Sequence, residues 1–316
     1  MLKVCICGHK GYWAAFLKRN IEKVPDMEIV CLVDKANTFE WPETANCSRP
    51  YIYKSLSNAL KCSKFDLVVI ATPPETHFSL AVESIQAGKH TLIEKPITTN
   101  SNNARSLVEM AKDYKVKLGV DHTFLFSSHI RVIKKLLDNG KIGEPLHIVS
   151  NRMNLGKFQN LGVVWDLMPH DIAMLNYLMG KKPKINHVEL TSHVDASLYD
   201  VATISMSYDK VTCYMNLSWL HPKKIRTTTI VGTEGMIEYD MLADVPLSIY
   251  DKKANKTDQR WEHSFTWEAK YKGDFREPLE VMLEEFRDYC LDKSSFLADG
   301  EKGAEVVECI EKVLVR

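Results

Sequence analysis

The chain lacks a net charge. Over 316 residues, 41 Lys and Arg offset 41 Asp and Glu. A nucleic-acid surface carries a basic excess, so this balance argues against that class of partner. No apolar run approaches the roughly 20 residues that span a bilayer, and a membrane is not expected as a partner either. Among the eight cysteines no C-x-x-C pair occurs. Cys5, Cys7, Cys31 and Cys213 lie inside strand-like runs, with Cys47, Cys62, Cys290 and Cys309 elsewhere. That is the pattern of free thiols in a reducing, cytoplasmic compartment, without a disulfide framework or a metal site. The opening Met1 to Cys7 meets Gly8 too soon to read as a signal peptide. Internal repeats and low-complexity segments are also missing.

What is present is 45% hydrophobic sequence, enough for a sizeable core and for two domains. Residues 2–7 are almost continuously apolar, as a strand buried on both faces should be. A helix is expected over Tyr12 to Ile21, a strand over 28–34, and another over 65–71. A helix from Thr76 to Ala87 stops at Gly88, a strand over 90–94 is ended by Pro96, and a helix over 100–114 precedes a strand over 116–121. Strands alternating with helices in this way imply a parallel sheet with right-handed crossovers.

Near residue 145 the rhythm changes. Strands are expected in succession over 145–153, 185–193, 200–208, 211–219, 226–232 and 234–240. Val211, Cys213, Met215, Leu217 and Trp219 alternate with Thr212, Tyr214, Asn216 and Ser218, the period of an antiparallel sheet with one buried face. Helices are expected over 166–179, 278–291 and 301–314, and the polar stretch 251–260 reads as a solvated loop. The fold class expected is therefore an α/β N-terminal domain with a parallel sheet, plus an α+β C-terminal domain with a large, open, mainly antiparallel sheet. The division is drawn at 1–121 and 122–316, with the C-terminal helix able to pack back on the first domain.

Three groups of residues suggest chemistry. In Gly8-His9-Lys10-Gly11-Tyr12-Trp13-Ala14, Gly8 supplies a tight turn after the first strand, one residue early for a regular G-x-G-x-x-G. Gly11 and Ala14 allow close approach of a pyrophosphate and close helix–strand packing. An ordinary βα turn with two glycines fits those residues equally well. Asp34, 26 residues after Gly8 at the end of the second strand, shifts the balance toward a Rossmann dinucleotide site. An acid there accepts hydrogen bonds from the adenosine ribose and repels a 2′-phosphate, which favours NAD. The adjacent Lys35 leaves NADP tolerated. Glu94-Lys95-Pro96 ends another buried strand, where ligands gather in such folds. A lysine there can hold an electron-rich oxygen, although a plain surface lysine is the blander reading. Finally, Asp166 and His170 are four apart and share one face of a helix, which suits proton transfer to and from an alcohol. The bland alternative is an acidic N-cap with a core histidine. A zinc pair at this spacing finds no third ligand nearby.

Taken together, the chain resembles the Gfo/Idh/MocA oxidoreductases, the glucose–fructose oxidoreductase and inositol dehydrogenase group, along essentially its whole length. The most specific stretches are Ala71-Thr72-Pro73-Pro74 with His77, Glu94-Lys95-Pro96, and Asp166-x-x-x-His170. Within that family it is similar to the sugar-nucleotide branch of UDP-N-acetylglucosamine 3-dehydrogenases, through His122 to Leu125, Asn154 to Lys157, Val164 to Asp171, Ser218 to Arg226 and Val231 to Gly235. The resemblance implies Lys95, Asp166 and His170 as the catalytic set. It implies cofactor contacts at Gly8, Lys10, Gly11, Tyr12, Trp13, Asp34, Lys35, Ala71, Thr72, Pro73, His77, Glu94 and Lys95, and substrate contacts at His122, Phe124, Asn154 and Trp165. It also implies a cis Lys95–Pro96 bond. His9-Lys10 departs from the family's usual tighter glycine turn.

The function expected is a nicotinamide-dependent oxidoreductase, taking a hydride from a secondary alcohol of a sugar, nucleotide-linked, to give a keto sugar. Reduction of a keto sugar or imine by the same residues is the first alternative. A non-catalytic dinucleotide-binding sensor of the same fold is the second; the intact Lys95, Asp166 and His170 argue against it. The strands 200–208 and 211–219 carry a polar yet uncharged face of Thr203, Ser205, Ser207, Thr212, Tyr214, Asn216 and Ser218. Charge depletion marks interface cores, and the family packs these sheets face to face, so a homodimer or homotetramer through the C-terminal sheet is expected.

Overall fold

The computed structural model describes all residues except 36–49, 157, 159, 258–259, 275 and 316, and within strands the side chains of 255–257 and 261. Cys47 and Lys157 therefore lie outside the described residues. The chain divides into two compact units: Met1–Phe126 with Arg276–Glu308, and Ser127–Phe275 with Cys309–Arg316.

In the first unit the elements run β1 (Leu2–Cys7), α1 (Tyr12–Ile21), β2 (Met27–Val33), β3 (Tyr51–Tyr53), α2 (Leu56–Cys62), β4 (Leu67–Ile70), α3 (His77–Gln86), β5 (His90–Glu94), α4 (Ser101–Asp113) and β6 (Leu118–Asp121). All pairings are parallel, in the order β3-β2-β1-β4-β5-β6. Strand order reverses between β1 and β4, the switch point outside which ligands bind in open α/β sheets. The apolar runs read from the sequence are the buried ones: Val4, Cys5, Ile6 and Leu67 to Ile70 are all within 1% of full burial. β3 and α2 fall where the sequence reading placed nothing. β3 is only three residues long, and α2 is announced mainly by its cap, Ser55, whose hydroxyl accepts from the Asn58 N–H at 3.3 Å.

The second unit begins with α5 (Ser128–Asp138), β7 (Pro145–Leu155) and α6 (Gly162–Met179). The strands β8 (Lys184–Thr191), β9 (Val201–Tyr208), β10 (Val211–Ser218), β11 (Leu220–Gly232), β12 (Met236–Asp240), β13 (Leu247–Thr257) and β14 (Arg260–Tyr271) follow. They form one eight-stranded sheet, β14-β13-β12-β11-β7-β10-β9-β8, in which only β7 and β10 pair in parallel. Ala202, Ile204, Met206, Cys213, Met215 and Leu217 are fully buried on the face that α6 packs against, as the period of two requires.

Two expectations are corrected here. Within the expected loop 251–260, residues 251–257 and 260 are instead strand residues of the β13–β14 hairpin, and 258–259 lie outside the described residues. The start of this stretch, Asp251-Lys252-Lys253-Ala254, has no apolar alternation in the sequence to mark a strand. Local pairs steady it instead: the Lys252 ammonium sits over the rings of Tyr250 and Phe265, at 4.8 and 4.7 Å. Likewise α6 starts at Gly162, not at 166, and runs through Pro169. Proline usually marks a first turn, which is why the sequence reading began the helix too late. Asp166 is consequently inside the helix and not its N-cap, which is Leu161.

The chain then closes with α7 (Pro278–Cys290) and α8 (Gly300–Leu314). α7 and most of α8 belong to the first unit. There, the Val120 N–H donates to the Ala298 carbonyl at 2.8 Å, and Gly119 bridges to Asp299, so the open edge of β6 is covered. Gly119 permits this: a Cβ at that position would lie 2.5 Å from the Phe286 ring and 2.9 Å from that of Phe296. No helix among the described residues is long and apolar enough to cross a membrane. Overpacking a filled core costs about 1–3 kcal/mol, and Gly119→Val should lower the melting temperature of the first unit by several degrees in calorimetry. An unchanged transition would contradict this packing.

Candidate active site

In the first unit, the candidate residues collect at the carboxyl ends of β1, β2, β4, β5 and β6. After β1 the chain turns at Gly8, whose φ of +82° suits glycine. The turn is closed by hydrogen bonds from Gly8 N–H to the Val33 carbonyl, Gly11 N–H to the Gly8 carbonyl, and Ala71 N–H to the Cys7 carbonyl, each 2.9 Å. A Cβ on Gly8 would fall 2.5 Å from the Ala71 oxygen, and one on Gly11 3.2 Å from the Gly8 oxygen. Gly11 caps α1 with extended backbone and no side-chain cap, which leaves the first-turn N–H groups to an anion. Ala14 is fully buried, giving the close helix–strand packing expected of it. Asp34 follows β2, and its carboxylate accepts from the Lys10 N–H at 3.4 Å, so the acid faces the glycine turn. Lys35 is exposed beside it. This cradle fits a dinucleotide: bare backbone for the pyrophosphate, an acid for the ribose.

His77 is fully buried behind the next two loops. One ring nitrogen lies 2.8 Å from the Thr72 carbonyl and the other 2.8 Å from the Pro96 carbonyl. Burial lowers its pKa against the pull of these two oxygens. It braces the Ala71-Thr72-Pro73 loop against the Lys95–Pro96 turn, where the peptide bond is cis. The Thr76 hydroxyl adds to this loop, 2.7 Å from the Thr72 hydroxyl and 2.8 Å from the Pro73 carbonyl.

Glu94 pairs in register with Asp121, which the sequence reading did not single out. Asp121 is buried, and its carboxylate accepts from the Trp13 indole at 2.6 Å and from the Thr123 N–H at 3.2 Å, with the Thr123 hydroxyl as a third donor. Burial raises its pKa, opposed by those bonds and by the positive charge of Lys95. The arrangement puts Lys95 beside Asp121 and ties both to the start of α1. Trp13 thus turns toward β6, whereas Tyr12 is 81% exposed. The neighbouring His122 is 3% exposed, and neither ring nitrogen has a hydrogen-bond partner among the described residues. Phe124 is half-buried in the turn that follows.

In the second unit, α6 carries Trp165, Asp166 and His170. Asp166 and His170 are half-buried, one helical turn apart. The Asp166 carboxylate accepts from the indole N–H of fully buried Trp219 at 3.1 Å. Directly after His170, Asp171 takes a bidentate pair from Arg152 of β7, at 2.8 and 2.7 Å, with both side chains nearly inaccessible. This pair fastens α6 to the sheet under His170. It was missed because only an arginine inside an otherwise ordinary strand hints at it. Asn154 is half-buried near the end of β7, its amide folded over Gly156.

A parallel dinucleotide-fold unit with an acid after β2 and a lysine after β5, together with an α+β unit on a largely antiparallel sheet, defines a two-unit oxidoreductase of the Rossmann class. The chain belongs to the Gfo/Idh/MocA family: its residues 2–122 match the model of that oxidoreductase family's NAD-binding Rossmann fold, and 130–238 match the GFO/IDH/MocA C-terminal domain. It is similar to UDP-N-acetylglucosamine 3-dehydrogenase of Acidithiobacillus ferrooxidans, 30% identical over 49% of this chain and 46% of that one. It thus spans about half the length of that curated relative. The solved structure of the same enzyme, GnnA, superposes with a TM-score of 0.79 at 23% identity, over 99% of this chain and 97% of that one. The WlbA dehydrogenase of Bordetella pertussis, solved with NADH and UDP-GlcNAcA, superposes with a TM-score of 0.78 at 17% identity, over 99% and 95%. At these identities the two superpositions speak for the fold.

The buried histidine sets an acid limit. Burial, with Lys95 second, lowers the pKa of His122 from 6.5 to about 3. Below pH 6.5 the unfolded chain binds a proton that the folded chain refuses. Stability is therefore complete above that pH and falls as pH drops toward 3, by about 1.4 kcal/mol per pH unit for one such group. Urea midpoints at pH 7, 6 and 5 should fall less steeply in His122→Gln than in the unaltered protein. Equal slopes would contradict the assignment.

Proposed function

We propose that this chain is an NAD-dependent dehydrogenase that oxidises a secondary alcohol of a nucleotide-linked pyranose to a keto sugar. The observation that carries the reading is Asp166 and His170 on one face of α6, a helix fastened to its sheet by the buried Arg152–Asp171 pair. In this reading His170 takes the hydroxyl proton, and Asp166 orients it or shares that proton. Lys95 donates to the substrate oxygen and offsets the charge that builds there. NAD, when bound, would supply the acceptor for the hydride of the carbinol carbon. Gly8, Gly11 and the open start of α1 would receive its pyrophosphate, with Thr72, Pro73 and Glu94 along the same edge. Asp34 would receive the ribose and favour NAD over NADP. The second unit would bind the sugar, with Trp165 on α6 and Asn154 near the end of β7. The sugar-nucleotide substrate is supported by the names of the two relatives, one acting on and one solved with a UDP-linked sugar. The free thiols of Cys5, Cys7, Cys31, Cys62, Cys213, Cys290 and Cys309 support a reducing, cytoplasmic setting.

The test is NAD reduction with a panel of UDP-sugars. His170→Ala and Lys95→Ala should each lose on the order of 10²–10⁴ in rate while keeping the fold and most of the NAD affinity. Near-normal turnover in either variant would remove that residue from the mechanism.

We also propose a homodimer, or a dimer of dimers, through the uncovered face of the second sheet. That face is laced by neutral side chains: Asn216 donates to Asn151 at 2.9 Å, and Asn151 to Thr227 at 3.2 Å. Thr203, Thr212 and Tyr214 stand exposed on it. Ser205→Lys combined with Asn216→Lys should halve the mass seen by light scattering and leave the first unit folded. A monomer at micromolar concentration before any substitution would rule the assembly out.

A further inference from the structure

Beside the candidate catalytic helix, the second unit concentrates positive charge. Along β11, Leu220 pairs with Leu155, and the next paired residue, Ile225, faces Met153. Residues 221–224 therefore bulge out of the strand opposite Asn154. Such bulges re-aim side chains and recur beside functional sites. The bulge is closed locally by the Lys223 N–H, 3.2 Å from the His221 ring. Lys224 ends it and is exposed, and Arg226 follows, half-buried.

Arg226 stands directly opposite Arg152 in the antiparallel register, on the face that carries α6. Like charges so placed are unfavourable in a sheet. The electrostatics agree: Arg226, with burial and Arg152 as further causes, lowers the pKa of Lys224. Burial and then Arg152 lower that of Arg226, against the opposing pull of Asp171 and Asp166. Arg152 and Arg226 thus stand together beside Asp171, with Lys224 in the field of both arginines. Asp171 also takes the bidentate pair from Arg152, and Asp166 also accepts from Trp219. A fold that holds cations together in this way favours an incoming anion, and a guanidinium beside an ammonium suits one with several oxygens.

We propose that Lys224 and Arg226 form an anion subsite that takes the diphosphate or the carboxylate oxygens of the substrate. The inference rests on the reading that α6 carries the chemistry, and it adds which part of the substrate the neighbouring strand recognises. An acidic or nucleotide-linked sugar is selected and a neutral free sugar is not.

The experiment is calorimetric titration of the full chain, loaded with NAD, with UDP, UDP-N-acetylglucosamine, the corresponding UDP-uronate, free glucuronate and free N-acetylglucosamine. Lys224→Gln and Arg226→Gln should each weaken the anionic ligands on the order of ten- to a hundred-fold, with Lys210→Gln on the remote β9–β10 turn unchanged. Loss for UDP and for both UDP-sugars assigns the diphosphate. Loss confined to the uronates assigns the carboxylate. Because Lys224 is exposed, its variant keeps the wild-type melting curve even if Arg226→Gln does not. The proposal is overturned if Lys224→Gln binds every anion within two-fold of the unaltered protein, or if the unaltered protein binds none of them. Binding is read without turnover, so the two readings fail separately. Charge-dependent UDP binding without any sugar oxidation would sink the dehydrogenase reading alone, and oxidation with unchanged binding in both variants would sink the subsite alone.

Discussion

A buried carboxylate organises the first unit. Asp121 sits at the end of β6, where burial disfavours its charge, and three influences offset that cost: the Trp13 indole, Thr123 and the charge of Lys95. Each partner comes from a different part of the fold. Trp13 belongs to the helix that begins at the glycine turn, Lys95 ends β5, and Thr123 begins the turn leaving the sheet. The carboxylate therefore fixes where the dinucleotide cradle opens relative to the lysine expected to touch substrate. Removing one partner of a buried charged group leaves the other uncompensated, at a cost of about 3–5 kcal/mol. The site's geometry and the unit's stability are thus coupled through the same atoms.

The second unit repeats the principle with different residues. Arg152 and Asp171 form its buried ionic anchor, and Trp219 restrains Asp166 much as Trp13 restrains Asp121. In both units an indole N–H meets a carboxylate whose neighbour is a candidate for chemistry. Ionisable side chains on helices and strand ends, held by buried partners, lose little further freedom when a ligand arrives, which is the advantage of preorganised groups over groups in water.

Much of this was legible from residue patterns because burial writes a period into the chain. The apolar runs of β1 and β4 and the alternation of β10 predicted one parallel and one mainly antiparallel sheet. Gly8, Gly11, Asp34 and Lys95 stood out as candidates because a turn, an acid and a lysine at strand ends are local signals. An ordinary turn and a surface lysine fit as well, and the role expected of Lys95 came from the family resemblance. The β13–β14 hairpin was misread because Asp251-Lys252-Lys253-Ala254 carries no apolar alternation that would mark a strand. Pro169 disguised the true start of α6, since a proline more often opens a helix than sits in its second turn. Asp121, Arg152 and Arg226 were missed for a different reason. Their importance lies in partners 108, 19 and 74 residues away, and no local pattern encodes such pairs.

The fate of one hydrogen tests the central claim most directly. A UDP-sugar deuterated at the oxidised ring carbon would be mixed with the NAD-loaded chain, and the reduced cofactor analysed by mass spectrometry. Direct transfer predicts one deuterium on the nicotinamide ring for each keto sugar formed. Tight cofactor and sugar binding with no labelled reduced cofactor at all would contradict it, and would leave a dinucleotide-binding fold without the chemistry.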